Sequence, residues 1–192
     1  MIRKKEIIWR EILFQAIEKK NRQLTQKALS EQFSFSLSTV FNALSVPRQS
    51  AIVTVSGRSF TVRDIHKWLY LWGTARSLKR DIIYETRVDA PVLEIESAMP
   101  ADVVYAAYSA VRLKWRQSPA DYDAVYVYAH DATEIQKRFP QKKGSPNLIV
   151  LKADPWLSLY GQTTTVAQTF VDCWNLPQWY AKDFLDVVLS KA

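Results

Sequence analysis

Over residues 2–20, Ile7, Ile8, Ile12, Phe14 and Ile17 recur at helical spacing among Glu11, Gln15 and other polar positions. The pattern predicts an amphipathic helix. A break at Asn21-Arg22-Gln23 leads to Thr25, a suitable N-cap for a short helix over residues 26–33. Ser34-Phe35-Ser36 reads as a turn, with Ser36 capping a helix over residues 37–45 that Pro47 stops. Ile52-Val53-Thr54-Val55 and Arg58-Ser59-Phe60-Thr61-Val62 alternate on either side of Ser56-Gly57, which predicts a hairpin. Asp64 caps a further helix running through Trp68, Leu69, Leu71 and Trp72 to about Ser77. Beyond it, strand-like runs at 82–88, 103–107, 124–129 and 147–152 are interleaved with, or followed by, helical segments at 91–98, 109–115, 133–139, 164–174 and 178–190. This alternation predicts an α/β layer around a mostly buried sheet of about four strands.

Three helices followed by a two-stranded hairpin is the order of a winged helix-turn-helix. The stretch from Thr25 to Leu44 resembles the helix-turn-helix of many bacterial and archaeal regulators: Ala28 is small where the helices would cross, and Leu29, Val40 and Leu44 would fill the core between them. The expected fold class is therefore α+β, with a winged helix-turn-helix over 1–63, a connecting helix over 64–80 and an α/β domain with a mixed sheet over 81–192.

On the third helix, Ser38 and Asn42 form one row and Leu37 and Phe41 the adjacent one. The first row is turned away from the Val40 and Leu44 stripe, so the outward face is expected to enter a major groove with its N-terminal residues nearest the base edges. Asn42 suits adenine, Ser38 suits a base or a phosphate, and Phe41 suits a thymine methyl. Ser36 stands at the helix start, and Lys27, Thr39, Arg48 and Arg58 are expected at phosphates. A scaffold reading instead buries Leu37 and Phe41 against the second domain, without DNA contact.

Charge supports a polyanionic partner. The 192 residues carry a formal +7, with 48% apolar and 23% charged positions, as a globular protein has. Residues 1–63 hold eleven cations and four anions, and the rest of the chain is balanced, so the whole surplus lies in the first third. No apolar run reaches the roughly 18 residues that span a bilayer. The basic start lacks the apolar run of a signal peptide, so a cytoplasmic location is expected. Cys173 is alone, excluding an internal disulfide and a Cys-based zinc site. The four glycines are too scattered for a phosphate-cradling loop.

One catalytic pattern competes. Tyr108-Ser109 precedes a helix, and Asp121-Tyr122-Asp123 follows before a strand, as the Gly-Ser turn and alternate metal-binding carboxylates of nucleotidyltransferases do, with Asp154 as a third carboxylate. Tyr108 replaces the glycine, and the carboxylates sit beside Pro119, so a solvated turn is the expected reading and no cofactor or metal is assigned. His66 and His130 lack a zinc-protease spacing, Cys173 is expected to be a buried inert thiol, and the basic loop over residues 141–146 reads as a solvated turn.

The chain as a whole resembles the AbiEi-like antitoxins of type IV toxin-antitoxin systems. The resemblance lies in the segments 64–72, 105–110, 125–128, 146–151 and 165–172, taken in order. It implies a repressor that binds operator DNA and a nucleotidyltransferase toxin as partner. It also implies a C-terminal domain that is a degenerate relative of that enzyme. Dimerisation is expected, because winged-helix regulators read paired half-sites.

Overall fold

The computed structural model describes residues 2–192. Its first element, α1 (Lys4–Ile17), is not amphipathic as expected: Glu6 through Leu13 are all buried, as are Ala16 and Ile17. A helix with charges at Glu6, Arg10 and Glu11 can be buried all round only if each charge has a partner. Trp72 Nε1 donates to Glu6 Oε1 at 3.1 Å, Tyr160 Oη donates to Glu11 Oε2 at 2.6 Å, and Arg10 donates to Asp154. These partners lie 66 to 149 residues away, where no local pattern shows them.

Next come β1 (Gln23–Thr25), α2 (Gln26–Phe33), α3 (Leu37–Ala43), α4 (Ser45–Gln49), β2 (Val53–Ser56) and β3 (Ser59–Val62). The caps fall where expected: Thr25 accepts from Ala28 N–H, and Ser36 accepts from Thr39 N–H. Ser34 closes α2 in the left-handed region at φ 53°, and Phe35 N–H donates to the Ser30 carbonyl. Leu29, Val40 and Leu44 fill the core, whereas Ala28 is exposed and is not the crossing point. Pro47 does not end the third helix. It lies in the first turn of α4, where its missing N–H breaks no helical bond.

The three strands form an antiparallel sheet in the order β1-β3-β2. Ser56 pairs with Ser59, so the hairpin turn is Gly57-Arg58, one residue later than the sequence pattern placed it. Gly57 supplies the positive φ, 56°, at the first central position.

Then follow α5 (Ile65–Ala75), capped by Asp64, a 3-10 turn (Leu78–Asp81), β4 (Ile82–Thr86), α6 (Val92–Ser97), β5 (Val104–Tyr105) and α7 (Ala107–Trp115). The chain ends with β6 (Val125–Ala129), α8 (Thr133–Arg138), β7 (Leu148–Lys152), a second 3-10 turn (Leu157–Tyr160), α9 (Val166–Trp174) and α10 (Ala181–Leu189). The architecture is α+β, with a mixed four-stranded sheet in the order β4-β7-β6-β5. β6 and β7 run parallel, and both outer pairings are antiparallel. Side chains alternate between its faces. Val125, Val127, Leu148 and Val150 pack with Ile95, Met99 and Ile135 on the side of α6 and α8. Tyr126, Tyr128, Ile149 and Leu151 join the larger cluster with α7, α9 and α10.

That larger cluster continues across residue 63 without a gap, from Ile8, Val40 and Trp68 to Phe170 and Phe184. Polar ties accompany it. Trp9 Nε1 donates to the Ala43 carbonyl at 2.6 Å, and Lys114 Nζ donates to Glu18 Oε1 at 2.5 Å. Arg76, at the end of α5, gathers Asp81 at 2.8 Å, Glu6 at 3.6 Å and Asp172 at 3.8 Å, and it donates to Tyr128 Oη at 2.9 Å. Burial alone would lower the Arg76 pKa, but Tyr128 and the three carboxylates raise it overall. Among the described residues no helix is long and apolar enough to cross a membrane.

Candidate nucleic-acid interface

α3 presents its two rows as its spacing dictates. Val40, Ala43 and Leu44 are buried, and Ser38 and Asn42 are exposed. Leu37 is 57% and Phe41 49% exposed, so nothing in the C-terminal part covers them. The burial that the scaffold reading expects of these two residues is not found. Leu37 and Phe41 thus stand exposed four residues apart, in the row beside Ser38 and Asn42.

The hydroxyls at the start of α3 are tied to one another. Ser36 Oγ accepts from Thr39 N–H at 3.2 Å and shares hydrogen bonds of 2.9 Å with Ser38 Oγ and Thr39 Oγ1. Thr39 is half-buried and is held inside the cap. Arg48 lies with its guanidinium carbon 4.9 Å from the centre of the Phe41 ring, a cation–π contact that fixes both side chains. Phe41, Arg48, Ser45 and Gln49 line a shallow recess of about 470 Å³. The sequence pattern, which assigns Arg48 to phosphate and ends the helix at Pro47, does not show this pairing. The short α4 carries Arg48 back over Phe41.

The start of α2, which carries Lys27, is tied to the hairpin, which carries Arg58, by a strand the sequence did not reveal. β1 pairs with β3 so that Thr25 faces Ser59, and such partners lie about 5 Å apart between Cα atoms. Lys27 stands two residues after Thr25, and Arg58 immediately precedes Ser59. Lys27 is exposed and makes an ion pair with Glu31 at 3.7 Å, a surface contact that water and salt weaken. Arg58 is exposed at the hairpin tip. Within residues 2–63 ten of the eleven cations reach solvent and only Arg10 is buried, whereas Glu6 and Glu11 are buried and leave Glu18 and Glu31 as the solvent-facing anions. Folding thus strengthens the positive excess of this surface.

The carboxylates of the catalytic pattern are not assembled. Asp121 and Asp123 are exposed, and Tyr122 between them turns inward, donating to Glu96 Oε1 at 2.7 Å and accepting from Arg112 Nε at 3.0 Å. Tyr180 Oη donates to Asp123 Oδ1 at 2.6 Å. Asp154 is held by Arg10. Tyr108 is fully buried, where desolvation drives its phenol well above the usual range, and it donates to Gln178 Oε1 at 3.0 Å. No group of three His, Cys, Asp or Glu side chains among the described residues converges on a metal position. His66 and His130 are exposed, and Cys173 is buried with its thiol pKa pushed up by desolvation.

No family model, curated protein or solved structure matches the chain.

Proposed function

We propose that the protein is a transcriptional regulator that lays α3 in the major groove of duplex DNA, and that it is a binding protein rather than an enzyme. In this reading α1 to α3 and the β2–β3 hairpin form a winged helix-turn-helix. The uncovered outward face of α3, in the part of the chain that carries the positive surplus, is the observation that carries the proposal. Asn42 and Ser38 read base edges, and Leu37 and Phe41 meet thymine methyls. Lys27, Arg48 and Arg58, with Ser36 and Thr39 at the helix start, hold the phosphate backbone. The remainder of the chain mediates assembly or partner binding, and pairing of two copies presents two such helices to a paired site. A repressor role, with a nucleotidyltransferase toxin as partner, rests on the resemblance to AbiEi-like antitoxins alone.

The docking face is tested by gel-shift titration of a Lys27→Glu/Arg58→Glu double variant. The expected result is an affinity loss of tenfold or more on every duplex, with a salt dependence shallower by about two phosphate contacts. Unchanged binding would show that the hairpin and α2 do not face DNA.

A further inference from the structure

The sheet face that packs on the helices is not covered to its end. At the β4 and β7 side a cavity of about 460 Å³ remains, with Leu78, Ile82, Tyr126, Ile149, Leu176 and Pro177 in its lining. That volume lies in the range of sites for single small molecules. Its lining is mainly apolar, and three polar side chains stand at it: Lys79, Glu85 and Asn175. Lys79 and Glu85 are exposed, and neither makes an ion pair among the described residues. Asn175 spends its amide nitrogen on the Gly73 and Val171 carbonyls, at 3.0 and 2.9 Å, which fixes the amide and leaves Oδ1 as an acceptor.

We propose that this cavity binds a free apolar amino acid, its side chain on the apolar walls, its carboxylate toward Lys79 and its ammonium toward Glu85 and Asn175 Oδ1. The pairing of charges selects the class. A simple anion meets repulsion from Glu85 and a simple cation meets repulsion from Lys79, whereas a zwitterion satisfies both. The apolar walls then require a side chain large enough to displace water from them. An added peptide strand fits less well: β4 is an edge strand, but it carries a bulge between Ile82 and Tyr84, and Gln141 Nε2 already donates to the Glu85 carbonyl at 3.1 Å. None of the residues assigned to DNA contact lines the cavity, so its test uses the protein alone.

Isothermal titration with L-tryptophan, L-phenylalanine and L-leucine tests the proposal, with indole-3-propionate, phenethylamine and glycine as analogues lacking the ammonium, the carboxylate or the apolar body. At least one amino acid is expected to bind saturably with a Kd below about 1 mM, and the analogues about tenfold more weakly or not at all. Lys79→Ala and Glu85→Ala, both at exposed positions, are each expected to weaken binding about fivefold or more. Absence of binding by all three amino acids, equal binding of the analogues, or unchanged affinity in both variants would overturn it.

Discussion

Arg10 on α1 and Asp154 beyond β7 face each other in a two-pronged ion pair, Nη1 to Oδ2 at 2.6 Å and Nη2 to Oδ1 at 2.8 Å, with both side chains almost fully buried. Gln168 Oε1 accepts a third bond from Arg10, at 3.1 Å, and Trp156 N–H donates to Asp154. The parallel geometry is what makes such a pair specific. It locks α1, which packs against α3, to the sheet side of the molecule, so that α3 and the C-terminal part share one interior.

Removing one partner leaves the other buried and uncompensated. Arg10→Met is expected to cost about 3–5 kcal/mol in denaturant unfolding, and Arg10→Met/Asp154→Leu to recover much of that loss. A double variant as unstable as the sum of the two singles would show that the pair is not coupled.

A second buried carboxylate gives a pH signature. Desolvation pushes the Asp172 pKa up to about 7, against the opposing pull of Arg76 and the hydrogen bond from Tyr128; Asp81 and Glu6 add repulsion. In the unfolded chain the same group titrates near 3.9. Between these values the folded protein binds more protons, so this contribution to stability is full below about pH 4 and is lost as pH rises through about 7. Asp172→Asn keeps an acceptor for Tyr128, which donates at 2.9 Å, and is expected to remove that slope from midpoints measured across pH 4–8.

The close approach of α5 to α9 depends on Gly73. A Cβ there would stand 2.8 Å from Trp174 Cδ1 and 2.9 Å from Cγ. The ring is stacked on Phe170 and set edge-on to Tyr70, with centroids 5.8 and 5.4 Å away, so it yields only by leaving both. Gly73→Ala is expected to cost about 1–3 kcal/mol and to change tryptophan emission. A variant with unaltered stability and emission would show that the contact is slack.

Arg48 has two roles to separate. If Arg48 holds a phosphate as proposed, Arg48→Ala, which also frees Phe41, is expected to weaken all duplexes alike and lower the salt slope by about one. Arg48→Lys keeps the charge but not the planar guanidinium, and is expected to restore the slope more than the affinity.

Local chemistry made much of the fold legible. Thr25, Ser36 and Asp64 cap helices as their side chains suggest, and the four runs of the larger sheet become its four strands. The outward face of α3 was legible because its spacing is local. What escaped depends on distant partners or on very short elements. Glu6, Arg10 and Glu11 made α1 look half-solvated, since their partners lie far along the chain. β1 has Leu24 as its one large apolar residue, too little to announce a strand, yet it ties the start of α2 to the hairpin through Thr25 and Ser59. Asp154, a third carboxylate in the sequence pattern, is taken up by Arg10 from 144 residues away.

The most direct measurement is fluorescence anisotropy of the wild-type protein and Asn42→Ala on a duplex enriched from a randomised pool and on its scrambled counterpart. The enriched duplex is expected to bind the wild type about 10³-fold more tightly than the scrambled one. Asn42→Ala is expected to lose about tenfold or more on the enriched duplex and little on the scrambled one. Failure to enrich any duplex, or an Asn42→Ala protein that discriminates as well as the wild type, would contradict recognition through α3.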